Sequence, residues 1–475
     1  MPITIPHDEI DDWRKRVTGS GKEIRDYRKY ASGKQLKLLS PEQKRILGNA
    51  RYHLAVDNIL DLVLRTAAGR LTFEGWTIGD PATFTPTSDT PDERSDDAIA
   101  VENFLAQFYL KSRLSSKQFD THYAALRDGV TALSLAWKPG EAADDPGRPI
   151  AFREPWWDGE RGMFVAFDDD GEPAWAVREW IDVIGKREVW RRTVYYPDQI
   201  TRYRKEGGGW VPFELPTDPP GTRGTVPWVR ANGQPLGLPV IPFSNSVADT
   251  APYGRSDIAG LLGIQDDINQ IGLDLTAAAM FTGFQMYWAS GVKIDDPNAV
   301  GPGQMLSADN PASRFGTLSP GPMDSLIAAY DSKRQTIAID TSTPMHIIGG
   351  QWPSGEALLR AEMPLVDKVT RLGAVCAPSW ILLAHRATEL ANTFGGQSLN
   401  EDAPITVDYA APERLDEMSQ VTVQKATVDL YAALANISDP QLMVKTGLVT
   451  ATEAQEIVDG RAERANALID TAAEF

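Results

Sequence analysis

The feature that most constrains the fold is a change of residue pattern near position 250. Between residues 130 and 243 the chain carries short runs rich in Val, Ile and aromatic residues, separated by turn clusters. This pattern predicts strands at 130–137, 163–167, 174–184 and 188–196. From Gly254 onward, apolar residues recur every three or four positions, which predicts helices. We therefore expect an α+β protein in which a sheet region precedes a long helical block.

Two segments rich in proline and glycine divide that block. Residues 297–322 predict a compact insertion, and residues 341–353 (TSTPMHIIGGQWP) predict a second break. Ser354 is a good cap for the helix that follows, which is expected to run to about Asn392. Pro364 and Pro378 lie inside that helix and predict one or two kinks.

The two ends of the chain are also expected to be helical. Ser40-Pro41 and Gln43 form a capping box for a helix that ends near Gly69. A short strand at 71–76, a surface loop at 81–97 and helices at 96–110 and 118–128 should follow, and Gly207 to Pro242 predicts a long irregular connection. The tail from Pro412 is predicted to be helical.

Composition and charge exclude several classes of protein. The 475 residues suffice for about two to four domains. A net charge of −18 disfavours a static clamp on DNA or on an anionic membrane. The single cysteine, Cys376, excludes an intramolecular disulfide and a Cys-rich zinc site. Residues 14–51 carry twelve bases and three acids, whereas 401–475 carry fourteen acids and five bases. The two ends either face different partners or present solvated helix faces.

Residues 275–292 contain no charged side chain. Their length is near the lower limit for crossing a bilayer. Thr276, Thr282, Gln285 and Ser290 favour the alternative, a helix buried in protein that runs into an extended segment.

Candidate catalytic and metal-binding patterns are weak. Asp168 to Gly171 resembles part of a calcium loop but lacks the spaced Glu, and a hairpin turn is favoured. Asp266 and Asp267 are helix neighbours that point about 100° apart, so structural or solvated roles are favoured. Cys376 has no His at a recognisable spacing, and Trp156-Trp157 suits a core or an interface better than a stacking platform. We expect no enzyme activity, no catalytic residues, no metal site and no cofactor.

Three segments of the chain resemble the portal proteins of tailed bacteriophages. They are RYHLAVDNILDLVLRTAAGRLTFEGW (51–76), IPFSNSVADTAPYGRSDIAGLLGIQDDINQ (241–270) and WPSGEALLRAE (352–362). The segments occur in the same order as in that family, and the similarity in element order covers most of the chain.

The resemblance implies a portal fold, with a mixed α/β wing, a two-helix stem, an inserted clip, a long kinked helix and a helical crown. In this sequence the parts are an N-terminal arm (1–24), the wing (25–253), stem helix 1 (254–285), the clip (286–321), stem helix 2 (322–340), a tunnel loop (341–353), the long kinked wing helix (354–395) and a C-terminal crown region (396–475). The short clip departs from the family pattern.

The resemblance also implies a function. Portal subunits form a homo-oligomeric ring, usually of about twelve copies, at the one capsid vertex through which double-stranded DNA is packaged and ejected. The implied partners are the terminase large subunit, a head–tail adaptor protein and the major capsid protein, with no membrane. The implied location is the virion, after assembly in the cytoplasm of the host bacterium. A virion-associated glycan hydrolase and a capsid or adaptor scaffold are the alternatives.

The resemblance places the DNA-facing tunnel loop at Thr341, Ser342, Thr343, Pro344, Met345, His346, Ile347, Ile348, Gly349 and Gly350. The segment has no carboxylate, Lys or Arg, and its proline and glycine pair predict a mobile loop. Such a loop would form a nearly neutral rim to which only His346 can add positive charge. An ordinary helix connection on the outer surface is the alternative, but Met345, Ile347 and Ile348 suit loops that pack on one another.

Overall fold

A computed structural model describes residues 5–35, 57–79, 96–140, 145–168, 170–215, 218, 221–246, 253–283, 286–291, 311–318, 323–354 and 356–412. Its helices are α1 (His7–Ala31), α2 (Ile59–Arg70), α3 (Asp96–Lys111), α4 (Leu114–Asp128), α5 (Leu262–Gly283), α6 (Asp324–Asp340), α7 (Met345–Ile348) and α8 (Glu356–Gly395). Its strands are β1 (Phe73–Ile78), β2 (Val130–Lys138), β3 (Arg148–Glu154), β4 (Gly162–Phe167), β5 (Pro173–Ile184), β6 (Arg187–Tyr195), β7 (Gln199–Glu206), β8 (Gly209–Pro212), β9 (Thr225–Pro227), β10 (Val240–Ser244), β11 (Met286–Ser290), β12 (Arg314–Leu318) and β13 (Ile405–Tyr409).

The strands form antiparallel sheets. One sheet has the order β4-β5-β6-β7-β8, with β9 added beside β7, and a second has the order β10-β2-β3. β1 pairs with β13, so that Ile78 lies opposite Ile405. That pairing ties the chain after α8 to the strand that follows α2.

The core lies where α8 crosses the strands. The Trp380 ring on α8 stacks on Phe73 at 4.2 Å and meets Phe243 edge-on at 4.8 Å between ring centroids. Its indole N–H donates to Nε2 of His122 over 3.3 Å. Burial lowers the pKa of His122 to about 4, so the ring is neutral near pH 7 and can accept this bond.

The structure confirms much of the predicted element order. Helices occur at 96–111 and 114–128, and all four predicted strands are present within a few residues of their predicted ends. The long helix spans Glu356–Gly395 and contains both prolines. At the predicted calcium-like fragment, the Asp168 side chain accepts bonds from the backbone N–H groups of Asp170 and Glu172 at 3.1 and 2.8 Å, which makes it a turn.

The structure adds detail to the assigned segments and corrects one prediction. In the segment assigned to the N-terminal arm (1–24), the residues from His7 onward belong to α1, whose acidic first turn suits the positive end of a helix. The segment assigned to the crown region (396–475) contains β13, which pairs with β1. The irregular connection predicted after Gly207 contains β8 and β9, and it is preceded by β7, which the sequence did not predict. Short, polar strands such as these lack the apolar runs that reveal a strand.

Some predictions fall outside the described residues, namely the capping box at Ser40, most of the loop at 81–97 and the helical tail beyond Pro412. Trp156 and Trp157 are 1% exposed, so these rings belong to the core and form no stacking platform. Cys376 is fully buried, and burial raises the pKa of its thiol to about 12. Within the described part of the chain, no helix combines the length and apolarity needed to cross a bilayer.

Candidate functional site

Helices α5 and α6 pack against each other, and the antiparallel pair of β11 and β12 lies between them in the chain order. β11 and β12 pair from Met286 opposite Leu318 to Ser290 opposite Arg314. The predicted stem helix 1 began at 254, but residues 257–261 form turns and α5 begins at Leu262. An ion pair of 2.7 Å between Lys333 Nζ and Asp267 Oδ2 links the two helices.

The Gln-Asp-Asp-Ile-Asn segment at 265–269 fixes α5 to the rest of the chain. Asp266 Oδ2 accepts a bond of 2.6 Å from the Tyr30 hydroxyl, and Asn269 Oδ1 accepts one of 3.1 Å from the backbone N–H of Asp57. The backbone N–H of Leu60 donates to Gln265 Oε1 over 3.3 Å. Asp266 and Asp267 therefore serve different partners, as the helix geometry predicted: Asp266 anchors α5, and Asp267 lies in an exposed ion pair with Lys333.

The same anchor holds α6. The Tyr330 hydroxyl donates to Asp57 Oδ2 over 2.6 Å. Burial is the main cause that raises the pKa of Tyr330, and this bond raises it further, so the hydroxyl keeps its proton. Both helices thus meet at Asp57, just before α2.

The segment after α6 is a hydrogen-bonded turn and not the mobile loop that the sequence predicted. Thr341 Oγ1 lies 2.7 Å from Ile337 O and 2.9 Å from Thr343 Oγ1, and the backbone N–H of Thr343 donates to Ala338 O over 2.9 Å. Lys368 Nζ donates to Thr341 O over 2.9 Å and also pairs with the Asp257 carboxylate. Proline and glycine end the helix, as predicted, but threonine hydroxyls supply new bonds.

A single helical turn, α7, follows and closes on a glycine. The backbone N–H of Gly350 donates to Met345 O over 2.7 Å. Gly349 has φ +110°, and a Cβ there would lie 2.0 Å from Nη2 of Arg334. A side chain at Gly349 would therefore displace the Arg334 guanidinium as well as strain the backbone.

His346 is buried and cannot supply charge to an open surface of this chain. Its residue exposure is 4%, its ring lies 4.6 Å from the Trp352 ring, and its Nε2 is 3.5 Å from Glu362 Oε1. Arg70 donates to both oxygens of Glu362, over 2.9 and 3.0 Å. These bonds are the first cause of a lowered Glu362 pKa. The role of His346 as a positive group on the rim of a ring stays a prediction, and its burial in the single chain argues against it.

The ten predicted site residues divide by burial. Thr341, Thr343, Pro344, His346 and Ile348 are buried, whereas Ser342, Met345, Ile347 and Gly350 are partly exposed and Gly349 is exposed. The supporting residues Arg70, Glu362 and Lys368 were missed. They are scattered along the sequence, and only the fold brings them to this turn.

Large apolar side chains flank the turn in an exposed state. We call them the junction face: Ile339 at the end of α6, Trp352 just before α8, and Leu359 and Met363 in the first turns of α8. Their exposures are 69, 72, 46 and 59%. Leu359 and Met363 are four residues apart and so share one side of the helix. Large exposed apolar residues are typical of interaction surfaces when they are contiguous.

Scanned against protein-family models and against the curated proteins, the sequence matches none. Among solved structures, the chain is similar to one in "Virion of native gene transfer agent (GTA) particle", with a TM-score of 0.41 and 13% identity, covering 86% of this chain and 93% of that chain. It is also similar to one in "Neck of native GTA particle computed with C12 symmetry", with a TM-score of 0.39 and 14% identity, covering 71% and 80%. Both TM-scores are below 0.5, so neither likeness establishes the fold or the function of this chain.

Proposed function

We propose that this chain is a portal subunit of a tailed bacteriophage or a related particle. About twelve copies would form a ring at one capsid vertex, and double-stranded DNA would pass through its channel. In this proposal the chain is not an enzyme, and the motor is the separate terminase. The observation that carries the proposal is the junction face, four large exposed apolar side chains on either side of the turn that follows α6.

Ring assembly explains the junction face. An isolated chain would leave Ile339, Trp352 and Met363 in water, each more than half exposed. Obligate subunit interfaces are more apolar than ordinary protein surface and exclude charge at their centre. In a ring, each junction face would be covered by the next copy.

The charge of α5 and α6 suits a channel through which DNA slides. The two helices carry six Asp, at 266, 267, 274, 324, 331 and 340, and two bases, Lys333 and Arg334, which gives a net charge of −4. An acidic wall repels phosphates and offers few of the fixed cation contacts that hold DNA in place. The exposed part of the turn, from Ser342 to Gly350, is uncharged and would touch the duplex without gripping it.

The hairpin supplies a docking point in this proposal. β11 follows α5 in the chain and β12 precedes α6, so both strands lie within the segment 286–321 assigned to the clip. The terminase and the head–tail adaptor would bind there in turn, and the sheet region would contact the major capsid protein. The protein would reside in the virion after assembly in the bacterial cytoplasm.

The test is the mass of the purified particle and its dependence on the junction face. Native mass spectrometry and negative-stain images should show rings of about twelve chains for the unaltered protein. Met363→Glu should shift the population to monomers, because it would bury a carboxylate in an apolar interface. Val183→Glu is the matched control, since Val183 is 65% exposed but lies at the end of β5. Monomers of the unaltered chain, or intact rings of Met363→Glu, would contradict the proposal.

A further inference from the structure

A cleft of about 850 Å³ lies on the sheet region, away from the turn and the helix pair. One wall is the face of β5, β6 and β7 that carries Arg178, Arg191 and Arg202, and the other comes from β2 and β3. On the opposite face of the same sheet, Arg192 pairs with Asp11 of α1 at 2.6 Å, and Arg192 and Tyr203 also contribute to the lining of the cleft. The face that carries Arg178, Arg191 and Arg202 is the one that opens to the cleft.

Arg191 is the unusual group in this cleft. It is 6% exposed, and its Nη1 has no hydrogen-bond partner among the described residues. Its Nη2 lies 3.5 Å from Asp182 Oδ2, a long contact with a carboxylate that is 46% exposed. The guanidinium lies 3.8 Å from the centroid of the Phe213 ring, which fixes its plane. Burying a guanidinium N–H without a hydrogen-bond acceptor costs free energy, unless a ligand supplies the acceptor.

Other arginines of the cleft are paired with carboxylates. Arg178 Nε lies 3.0 Å from Glu154 Oε2, Arg202 Nη1 donates to Asp218 Oδ1 over 2.6 Å, and Arg192 pairs with Glu179 and Asp11. Arg153 also lines the cleft. The planar guanidinium of Arg191, with its unmet donor, suits a carboxylate.

Aromatic side chains form a large part of the remaining lining. Phe152 and Phe394 are 44 and 38% exposed, and Trp180 lies under Arg178 at 4.5 Å from its ring centroid. Polar groups are also present, among them Ser134, Thr193 and Asp182. The part of the lining formed by the phenylalanines favours an aliphatic or aromatic side chain next to the carboxylate.

We propose that this cleft binds a peptide segment of a partner protein in which an Asp or Glu lies beside a Leu or Phe. The carboxylate pairs with the guanidinium of Arg191, which shifts so that the buried Nη1 reaches it, and the apolar side chain enters the part of the cleft lined by Phe152 and Phe394. The inference does not depend on the ring proposed above, because a monomer would contain the complete cleft.

The experiment titrates the full chain with the blocked peptide acetyl-Leu-Glu-Phe-amide, followed by isothermal calorimetry. The matched probe is acetyl-Leu-Gln-Phe-amide, which has the same shape without the charge, and a chitin oligosaccharide tests the glycan alternative. We expect saturable binding of the Glu peptide and at least about tenfold weaker binding of the Gln peptide, since a charged hydrogen bond is lost. Equal affinities, no binding of the Glu peptide, or binding of the oligosaccharide alone would overturn the proposal.

Variants assign the binding to this cleft. Arg191→Gln should weaken the Glu peptide about tenfold and leave the Gln peptide unchanged. Arg187→Gln is the matched control, because Arg187 lies on the same face of β6, is exposed and does not line the cleft. Phe152→Ala should weaken the binding of both peptides. Because Phe152 is about half exposed, this variant should fold even if Arg191→Gln does not. Unchanged binding by Phe152→Ala would place the peptide elsewhere and overturn the assignment.

Discussion

The two parts of α8, before and after Pro364, differ in what covers them. After the proline, the helix buries a stripe at three- and four-residue spacing: Leu365, Val369, Leu372, Cys376, Trp380, Leu383, Ala387 and Leu390. Before it, Leu359 and Met363 are about half exposed. The part of α8 after Pro364 therefore contributes to the buried core, whereas the part before it contributes to the exposed junction face. The proposed ring would explain this difference, because a neighbouring subunit would cover the junction face.

Charged groups follow the same division. In the sheet region the Arg192 side chain is fully buried and lies 2.6 Å from both Glu179 and Asp11. Between the helices, Lys333 and Asp267 are 41 and 53% exposed. Buried pairs are costly to break, whereas exposed pairs contribute little. The sheet region is thus expected to respond strongly to substitution, and the helix pair weakly.

The largest expected difference in stability is between variants of two tryptophans, Trp380 in α8 and Trp352 just before it. Trp380→Ala removes a fully buried ring and should lower the free energy of unfolding by about 4 kcal/mol. Trp352→Ala removes a ring that is 72% exposed and should change it by less than about 0.5 kcal/mol in the monomer. Urea denaturation of both variants at low protein concentration measures the difference. Similar losses for the two would remove the distinction between core and junction face.

The core was the more predictable part because it follows from local pattern. The Ser354 cap before α8 and the runs of Val, Ile and aromatic residues in β5 and β6 are visible in sequence, and these elements appear where they were expected. β13 was missed because its five residues, Ile405–Tyr409, gain their stability from pairing with β1, more than 300 positions earlier. The local pattern of apolar residues shows which face of an element is buried, but it does not show which distant strand that element pairs with.

An intermediate effect is expected at the junction. Glu362→Gln keeps the shape of the side chain but loses its charge, and should lower the free energy of unfolding by about 2 kcal/mol near pH 7. The Glu362 pKa is lowered in the folded state, so the contribution is complete above its ordinary value of 4.5 and is lost as pH falls through the folded pKa. Thermal melts of both proteins across pH 3 to 7 should therefore converge at the acidic end. A constant gap would show that the charge of Glu362 does not stabilise the junction.

The turn was less predictable than the core for a related reason. The sequence located the break after α6 correctly, since Pro344 and Gly349 are read directly. It could not show that Lys368, Glu362 and Arg70 would converge there, because they come from α8 and α2. A segment that is uncharged in sequence is thus fixed by charged groups from elsewhere, and the expected mobile loop became a bonded turn.

The smallest expected effect tests whether the helix pair depends on its own ion pair. Lys333→Ala should lower the free energy of unfolding by no more than about 0.5 kcal/mol, because solvent and salt screen an exposed pair. Asp267→Asn should cost a similar amount, and the double variant should show a coupling energy below about 0.5 kcal/mol. Tyr330→Phe is the internal comparison on the same helix, since it removes the 2.6 Å bond to Asp57 and should cost about 1 kcal/mol. Lys333→Ala could instead lower the free energy of unfolding more than Tyr330→Phe does. In that case the surface ion pair, and not the hydrogen bond to Asp57, would be the main contact that holds α6 in place.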